Sequence, residues 1–405
     1  MDKKELEKKA RAYALKNAIA YKGKANQGAV ISALFNEGLK KENVKDVAPK
    51  ISEIINDVNS MSLEEQEQEF DKFKEEISER KVREGLPEIP NTEKGVITRI
   101  APSPSGAMHV GHALTASISY LYVKKYGGKF YVRIEDTNPD NILPEAYELL
   151  KKDSEWLFEG NAQIIIQSER IDIYYNYIKK LLEKGFAYVC TCSQEDFKKY
   201  VDNKKDCPCK NLGFEEQLKR WDKMLNKTKE SYSQGDAVLR FFCDMKNPNP
   251  AMRDFPLARI NEIKHPLQKN KYRVWPLMNL AVAVDDLEFE MTHIIRAKDH
   301  RDNAKRQEMI FKALGKENKI PWTAYLGRWH IKGLKLSASQ ITKDVKEGKY
   351  SGWDDLQLPT LQALKNQGYK PKAFHKFAEN RGLSEVDKTI DSKEFFRTLD
   401  VFNRE

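Results

Sequence analysis

Two imidazoles one helical turn apart, in His109-Val110-Gly111-His112, stand where a proline- and glycine-bearing loop gives way to a helical pattern. A helix N-terminus offers free backbone N–H groups and the positive end of the helix dipole, which together make an anion site. Histidines at that place can donate to phosphate oxygens, and Gly111 lets a flat base come close to the helix backbone. A pair of surface histidines is the plain alternative, which these residues alone leave open. A second pattern joins Cys190-Thr191-Cys192 to Cys207-Pro208-Cys209 across fourteen residues. Four thiolates in a loop-rich segment suit tetrahedral zinc with no open ligand position, hence a structural role. Redox-active or incidental cysteine pairs are the alternative here. Cys243, alone between aromatic neighbours, reads as a core residue.

The histidine pair needs a scaffold, and the flanking residues supply one. Gly95 to Ala101 reads as a short buried strand, Pro102-Ser103-Pro104-Ser105-Gly106 as a stiff loop, and His109 through Lys124 as a helix. Gly127-Gly128 closes that helix, and Lys129 to Ile134 makes the next strand. Strand, helix, strand is a βαβ unit, so an α/β core with a parallel sheet is expected. Ligands on such sheets sit at the carboxyl ends of the strands, where the loop after Ala101 and the segment Glu135 to Pro139 both fall. Residues 145–187 carry a helical pattern. Cys190 to about Arg273 reads as an insertion of short strands and turns. A second α/β portion begins near Val274, with the apolar run Leu280 to Val284 ending in Asp285-Asp286 and another strand, Met291 to Arg296. Past residue 335 the pattern is mostly helical.

Residues 1–85 are expected to be helical throughout. Val47, Ile51, Ile54, Ile55 and Val58 share one helix face, and Ser62 with Glu65 forms a capping box ahead of an acidic helix running to about Arg83. Gly85 to Asn91 is a proline-broken linker. Composition bounds the rest. With 40% hydrophobic and 32% charged residues, the chain is too apolar for disorder and too polar for a membrane protein. No apolar run approaches the roughly 20 residues of a membrane span, and the charged start is not a secretory signal. Five cysteines in 405 residues make no disulfide scaffold, so a reduced, cytoplasmic location is expected. The net charge is +9, yet residues 1–90 hold 17 basic against 18 acidic residues, so any polyanion-binding surface should follow them. The stretches Lys264 to Arg273 and Lys298 to Arg306 suit phosphate contacts, a solvated face being the alternative.

The segment Arg99-Ile100-Ala101-Pro102-Ser103-Pro104-Ser105-Gly106, followed by the histidine motif, closely resembles the first signature of class I aminoacyl-tRNA synthetases, and of their glutamyl branch in particular. The likeness continues through Arg133 to Pro139, Tyr272 to Pro276, Val284 to Asp286, Thr292 to His300 and Gly348 to Asp355, covering roughly residues 90–405 in order. The archaeal and eukaryotic form of that branch, which includes glutaminyl enzymes, resembles it most.

This resemblance implies a Rossmann-type parallel sheet and ATP-dependent attachment of glutamate to the 3′ end of tRNA(Glu) through a glutamyl-adenylate. It also implies Mg2+ with ATP, structural Zn2+ on Cys190, Cys192, Cys207 and Cys209, and activation that requires bound tRNA. It places ATP on Gly106, His109, Gly111, His112, Lys335, Ser337 and Ser339, with His109, His112 and Lys335 catalytic. Glutamate falls to Arg99, Ala101, Ser103, Glu135, Met278 and Arg296. The chemistry agrees: two carboxylates and one ammonium need paired cations and one carboxylate. Arg296 and Glu135 match the glutamyl rather than the glutaminyl pattern, while surface salt bridges would be the bland explanation of these charges.

The implied domains are a helical appendage over 1–90, the first half of the catalytic domain over 91–189, and an acceptor-stem-binding insertion over 190–273. The second half follows over 274–334, then the second signature and a helical stem-contact region over 335–405, ending ahead of the anticodon-binding barrels. Alternatives are a glutaminyl ligase or a tRNA-binding protein with weakened catalysis. Charging of tRNA(Gln) and a protein partner for the appendage stay open. Two departures from the family stand out. The second signature reads Lys335-Leu336-Ser337-Ala338-Ser339, with alanine where a lysine belongs, so Lys332, Lys335 or Lys343 is expected to compensate. Met278 stands where related enzymes often place a tyrosine. Trp353 matches the family, though spacing alone makes it a packing residue.

Overall fold

Apolar residues at helical spacing dictate the first part of the computed structural model, which describes residues 3–77 and 85–405. The chain divides into two units, Met1–Arg83 and Glu84–Glu405. In the first, α1 (Lys3–Ala20), α2 (Gln27–Asn36), α3 (Val44–Ser60) and α4 (Leu63–Phe73) share one core. Ile51, Ile54, Ile55 and Val58 of α3 are buried with Ala10, Ala14, Leu15 and Ala18 of α1. The Ser62–Glu65 capping box forms as expected, with the Ser62 amide donating to Glu65 Oε2 at 2.7 Å. That helix ends at Phe73, with one further turn over Lys74–Glu76. The expected extension to Arg83 reaches residues 78–84, which lie outside the described residues.

The second unit is a mixed α/β domain built on parallel strands. β1 (Val96–Ile100), α5 (Val110–Tyr126) and β2 (Gly128–Ile134) form the expected βαβ unit. Gly128 is required there, because its φ is +125° and a Cβ would run into the Val96 backbone. Then come α6 (Ala146–Leu157), β3 (Ala162–Ile166) parallel to β2, and α7 (Ile171–Glu183). The all-helical expectation for 145–187 therefore misses β3, a short apolar run in a helix-rich stretch.

A four-stranded antiparallel sheet follows: β4 (Ala187–Cys190), β5 (Val238–Phe241), β6 (Pro256–Ile260) and β7 (Val274–Pro276), with α8 (Gln194–Asp202) and α9 (Phe214–Leu225) between β4 and β5. The apolar run Leu280 to Val284, grouped above with strands, belongs instead to α10 (Met278–Glu288), where every residue from Asn279 to Asp286 is buried. A helix covered on all sides loses the amphipathic period that would reveal it.

β8 (His293–Ala297), α11 (Arg301–Ala313) and β9 (Trp322–Leu326) form a second parallel βαβ unit beside the first sheet. Thr292 joins β8 to β1: its amide donates to Ile97 O and its hydroxyl accepts from Ile97 N, both at 2.9 Å. The three-stranded sheet β3-β2-β1 and the pair β8-β9 thus meet at β1 and β8, and successive strands are added outward in opposite directions from that seam. Crevices at such switch points bind ligands. The C-terminal part holds β10 (Trp329–Lys332), α12 (Ala338–Lys346), α13 (Leu361–Asn366), α14 (Pro371–Arg381), β11 (Lys388–Asp391) and α15 (Ser392–Arg404). It is mostly helical, yet β11 pairs in parallel with β10. No described helix is long and apolar enough to cross a membrane.

Candidate active site

At the carboxyl ends of β1, β2 and β8 lies a cavity of about 280 Å³. Its wall holds Arg99, Ala101, Ser103, Gly111, His112, Glu135, Met278 and Arg296, so each residue assigned to glutamate from the resemblance is there. Thr115 and His300 line it too, and were not singled out.

His109 is the N-cap of α5, and its Nδ1 accepts from the Gly111 amide at 3.1 Å. His112 Nδ1 accepts from the His109 amide at 3.4 Å, and the rings stack 3.8 Å apart. With both Nδ1 atoms accepting, the neutral rings carry their protons on Nε2. Burial, then the neighbouring His112, pushes His109 down to about 3, and burial brings His112 to about 4. They are therefore neutral donors at physiological pH, not cations. Buried Asp153 fixes the approach to the motif by accepting from the Met108 amide at 2.8 Å. Main-chain bonds Val110 N to Pro359 O and Leu361 N to Met108 O, each 2.9 Å, hold it from the other side.

Beneath the cavity runs a charge network that sequence reasoning did not resolve. Asp286 takes Arg99 in a two-pronged pair, at 3.0 Å from Nε and 2.9 Å from Nη2, and Arg133 Nη1 at 2.6 Å. Arg133 also donates to Glu135 at 3.0 Å. Burial opposes ionisation of Asp286, yet Arg99 and Arg133 hold it at about 2. The adjacent Asp285 accepts from Gln167, Arg170 and Tyr174. Arg296 differs. Its Nη1 donates to the neutral Gln307 Oε1 at 2.8 Å, its buried Nε has no partner, and among the described residues no carboxylate lies within 4.0 Å. Burial and the like charge of Arg99 push it down to about 10. A charged residue inside an apolar strand, as in Phe130-Tyr131-Val132-Arg133-Ile134, was the available signal for this network.

Gly106 and the second signature share one packing unit. A Cβ on Gly106 would fall under 3.0 Å from three carbons of the Trp353 ring, so glycine is needed for that close approach. Trp353 is buried, as packing predicted, and its Nε1 donates to Glu145 at 3.0 Å. Thr342 of α12 donates to Ser105 O at 2.9 Å. Ser337 caps α12, with its hydroxyl 3.1 Å from that of Ser339, and Ala338 is the first residue of the helix. Exposed Lys335 lies 3.7 Å from Asp344, which also pairs with Lys349 at 2.9 Å. Lys343 reaches Glu347 at 3.8 Å.

In the insertion, the sulfurs of Cys190, Cys192, Cys207 and Cys209 lie within 4.8 Å of one another, with 3.9 Å between Cys190 and Cys207 and between Cys192 and Cys209. Zinc bonded to sulfur at about 2.3 Å in a tetrahedron sets sulfurs about 3.8 Å apart, so the four fit that ion. The Thr191 amide donates to Cys209 Sγ at 3.4 Å, which favours a thiolate. Cys243 lies in the core. Of the basic stretches, Arg273 is buried on the carbonyls of Met224, Asn226 and Tyr232, and Arg306 holds Ala251 O, so neither is a free phosphate contact.

Comparison with known proteins agrees with this geometry. A family model described as "tRNA synthetases class I (E and Q), catalytic domain" matches residues 95–403. The glutamate–tRNA ligase of Methanocaldococcus jannaschii is 40% identical over 383 residues, 94% of this chain and 68% of that protein. That of Thermococcus kodakarensis is 44% identical over 388 residues, 93% of this chain and 67% of that protein. The crystal structure of the glutamate–tRNA synthetase of Elizabethkingia anophelis shares the fold, with a TM-score of 0.51 and 21% identity over 76% of this chain and 70% of that one. With a switch-point crevice of this make-up and matches that span both signatures, the chain belongs to the class I aminoacyl-tRNA synthetases of the glutamate and glutamine branch.

Proposed function

We propose that the chain ligates L-glutamate to tRNA(Glu), with ATP and glutamate side by side in the cavity. The observation that carries this is Arg296, a cation in the wall of the cavity with only a neutral partner. Around and beneath the cavity four guanidinium groups, Arg99, Arg133, Arg170 and Arg296, face three carboxylates, Glu135, Asp285 and Asp286. That leaves one positive charge over. Glutamate carries one net negative charge and cancels it, whereas glutamine is neutral and does not.

In this reading the γ-carboxylate meets Arg296 with Arg99 alongside, and Glu135 receives the ammonium. Ala101, Ser103 and Met278 shape the remaining wall. The α-carboxylate attacks the α-phosphorus of ATP and pyrophosphate leaves. A ribose hydroxyl at the 3′ end of tRNA then attacks the glutamyl carbonyl, and AMP leaves. His109 and His112 donate Nε2–H to phosphate oxygens without adding charge, while Gly111 in the cavity wall keeps the nucleotide's approach open and Gly106 serves the packing of Trp353. Lys335, with Ser337 and Ser339, supplies positive charge and hydroxyls to the phosphates as charge builds in the transition state. Mg2+ accompanies ATP as part of the substrate. Cys190, Cys192, Cys207 and Cys209 would hold Zn2+, which would fasten the insertion that meets the acceptor end. The pocket reads the amino acid only, so a choice between tRNA(Glu) and tRNA(Gln) falls to other surfaces.

ATP–pyrophosphate exchange with tRNA present tests the reading. Glutamate supports exchange and glutamine does not, and Arg296→Ala lowers glutamate-dependent kcat/KM by about 100-fold while melting no lower than the parent. Near-normal exchange by that variant would remove Arg296 from the pocket. Ala338 favours one second reading, a tRNA-binding protein with lapsed catalysis, and exchange with neither amino acid would support it.

A further inference from the structure

The neutral contact behind Arg296 has its own support. Gln307 on α11 is 6% exposed, and its amide is oriented at both ends: Oε1 accepts from Arg296 at 2.8 Å, and Nε2 donates to Asn279 Oδ1 at 3.4 Å. Asn279 follows Met278 in the first turn of α10, so the chain of contacts leads back to the cavity wall. Beside it lies a void of only about 20 Å³, bounded by Asp286, Arg296, Gln307 and Glu308 among others.

We propose that Gln307 is a specificity-determining residue, holding Arg296 in place without neutralising it and so reserving its charge for the substrate's side chain. The proposal rests on the reading that Arg296 meets the γ-carboxylate. A glutamate at 307 has the same size and makes the same contact, but as an ion pair. Four guanidinium groups would then face four carboxylates, a balance that opposes glutamate and suits the neutral zwitterion of glutamine. One oxygen-for-nitrogen exchange thus moves the pocket's net charge by a full unit with no change of shape.

The test is tRNA-supported ATP–pyrophosphate exchange on the full chain with Gln307→Glu and Gln307→Met, reading KM and kcat for glutamate and for glutamine. Q307E should raise the glutamate KM about 10- to 100-fold, the worth of a charge-assisted contact, and raise the glutamine-to-glutamate ratio of kcat/KM. Q307M removes the acceptor without adding charge, so its glutamate KM should rise less. Equal KM effects for the two variants, or a loss confined to kcat, would overturn the proposal and leave Gln307 a packing residue. Should Q307E melt below the assay temperature, Gln307→Asp carries the same charge and is judged by the same comparison with Q307M. The two readings fail separately. If Arg296→Ala keeps glutamate exchange, the assignment of Arg296 falls; if it loses exchange while Q307E keeps the parent KM, only the role of Gln307 falls.

Discussion

Replacing Asp286 by asparagine keeps the shape of the buried hub and removes its charge. The side chain is 4% exposed and accepts three hydrogen bonds, two from Arg99 and one from Arg133. The gap between its value of about 2 and the ordinary 3.8 corresponds to roughly 2 to 3 kcal/mol in favour of the ionised form. Breaking a buried pair by removing one partner costs about 3 to 5 kcal/mol, since the other charge stays behind. Here two guanidinium groups stay behind while an amide oxygen can still accept from one, so a loss of about 3 kcal/mol is expected. The six tryptophans, from Trp156 to Trp353, all fall in the second unit, so urea unfolding followed by tryptophan fluorescence reports on that unit alone. The sign with pH follows from the lowered value. Asp286 contributes stability above its ordinary 3.8 and loses that contribution as pH falls through about 2. The D286N penalty should therefore be level near neutral pH and shrink between about pH 4 and about pH 2. A loss under about 1 kcal/mol near neutrality, with an unchanged m-value, would refute the hub.

Two further expectations concern the insertion and the second signature. Purified protein should hold one tightly bound zinc, and Cys209→Ser should lose it and lower the melting temperature; protein with no bound zinc before any chelator would end the assignment. Ala338→Lys restores a phosphate donor at the start of α12, where a cation opposes the helix dipole by about 0.3–1 kcal/mol. It should raise kcat for activation by up to about 100-fold, and an unchanged kcat would mean that the missing donor is already replaced.

What the sequence made legible was local. The helix start at His109 follows a strand and a stiff loop in one stretch of chain, and Ser62 with Glu65 is a four-residue pattern. Both need only neighbours. β3 and α10 were hidden for opposite reasons: Ala162–Ile166 is too short a run to outweigh the helices around it, and α10 is buried all round, so its apolar run carries no face. The pairing of Arg99 with Asp286 spans 187 residues, and that of Arg296 with Gln307 depends on which way a buried amide points. Composition and spacing carry no information about either. The family resemblance supplied Arg99, Glu135 and Arg296 as pocket residues, but not that two arginines are neutralised and one is not.

That inequality is the chemistry of the pocket. Arg296 weakens the fold: burial and Arg99 both disfavour its charge, its Nε is buried without a partner, and only a neutral amide answers its Nη1. A position selected for stability alone would carry an apolar side chain or face a carboxylate. Asp286 does the opposite for Arg99 and Arg133, drawing off their charge so that the shortage of negative charge concentrates at one side chain. On the proposed assignment of Arg296, a substrate carboxylate entering there relieves a destabilised group and gains a partner at the same time, whereas a substrate amide relieves nothing. Under that assignment, discrimination between two amino acids of nearly equal size follows from this imbalance, and the hub at Asp286 is what allows the fold to tolerate it.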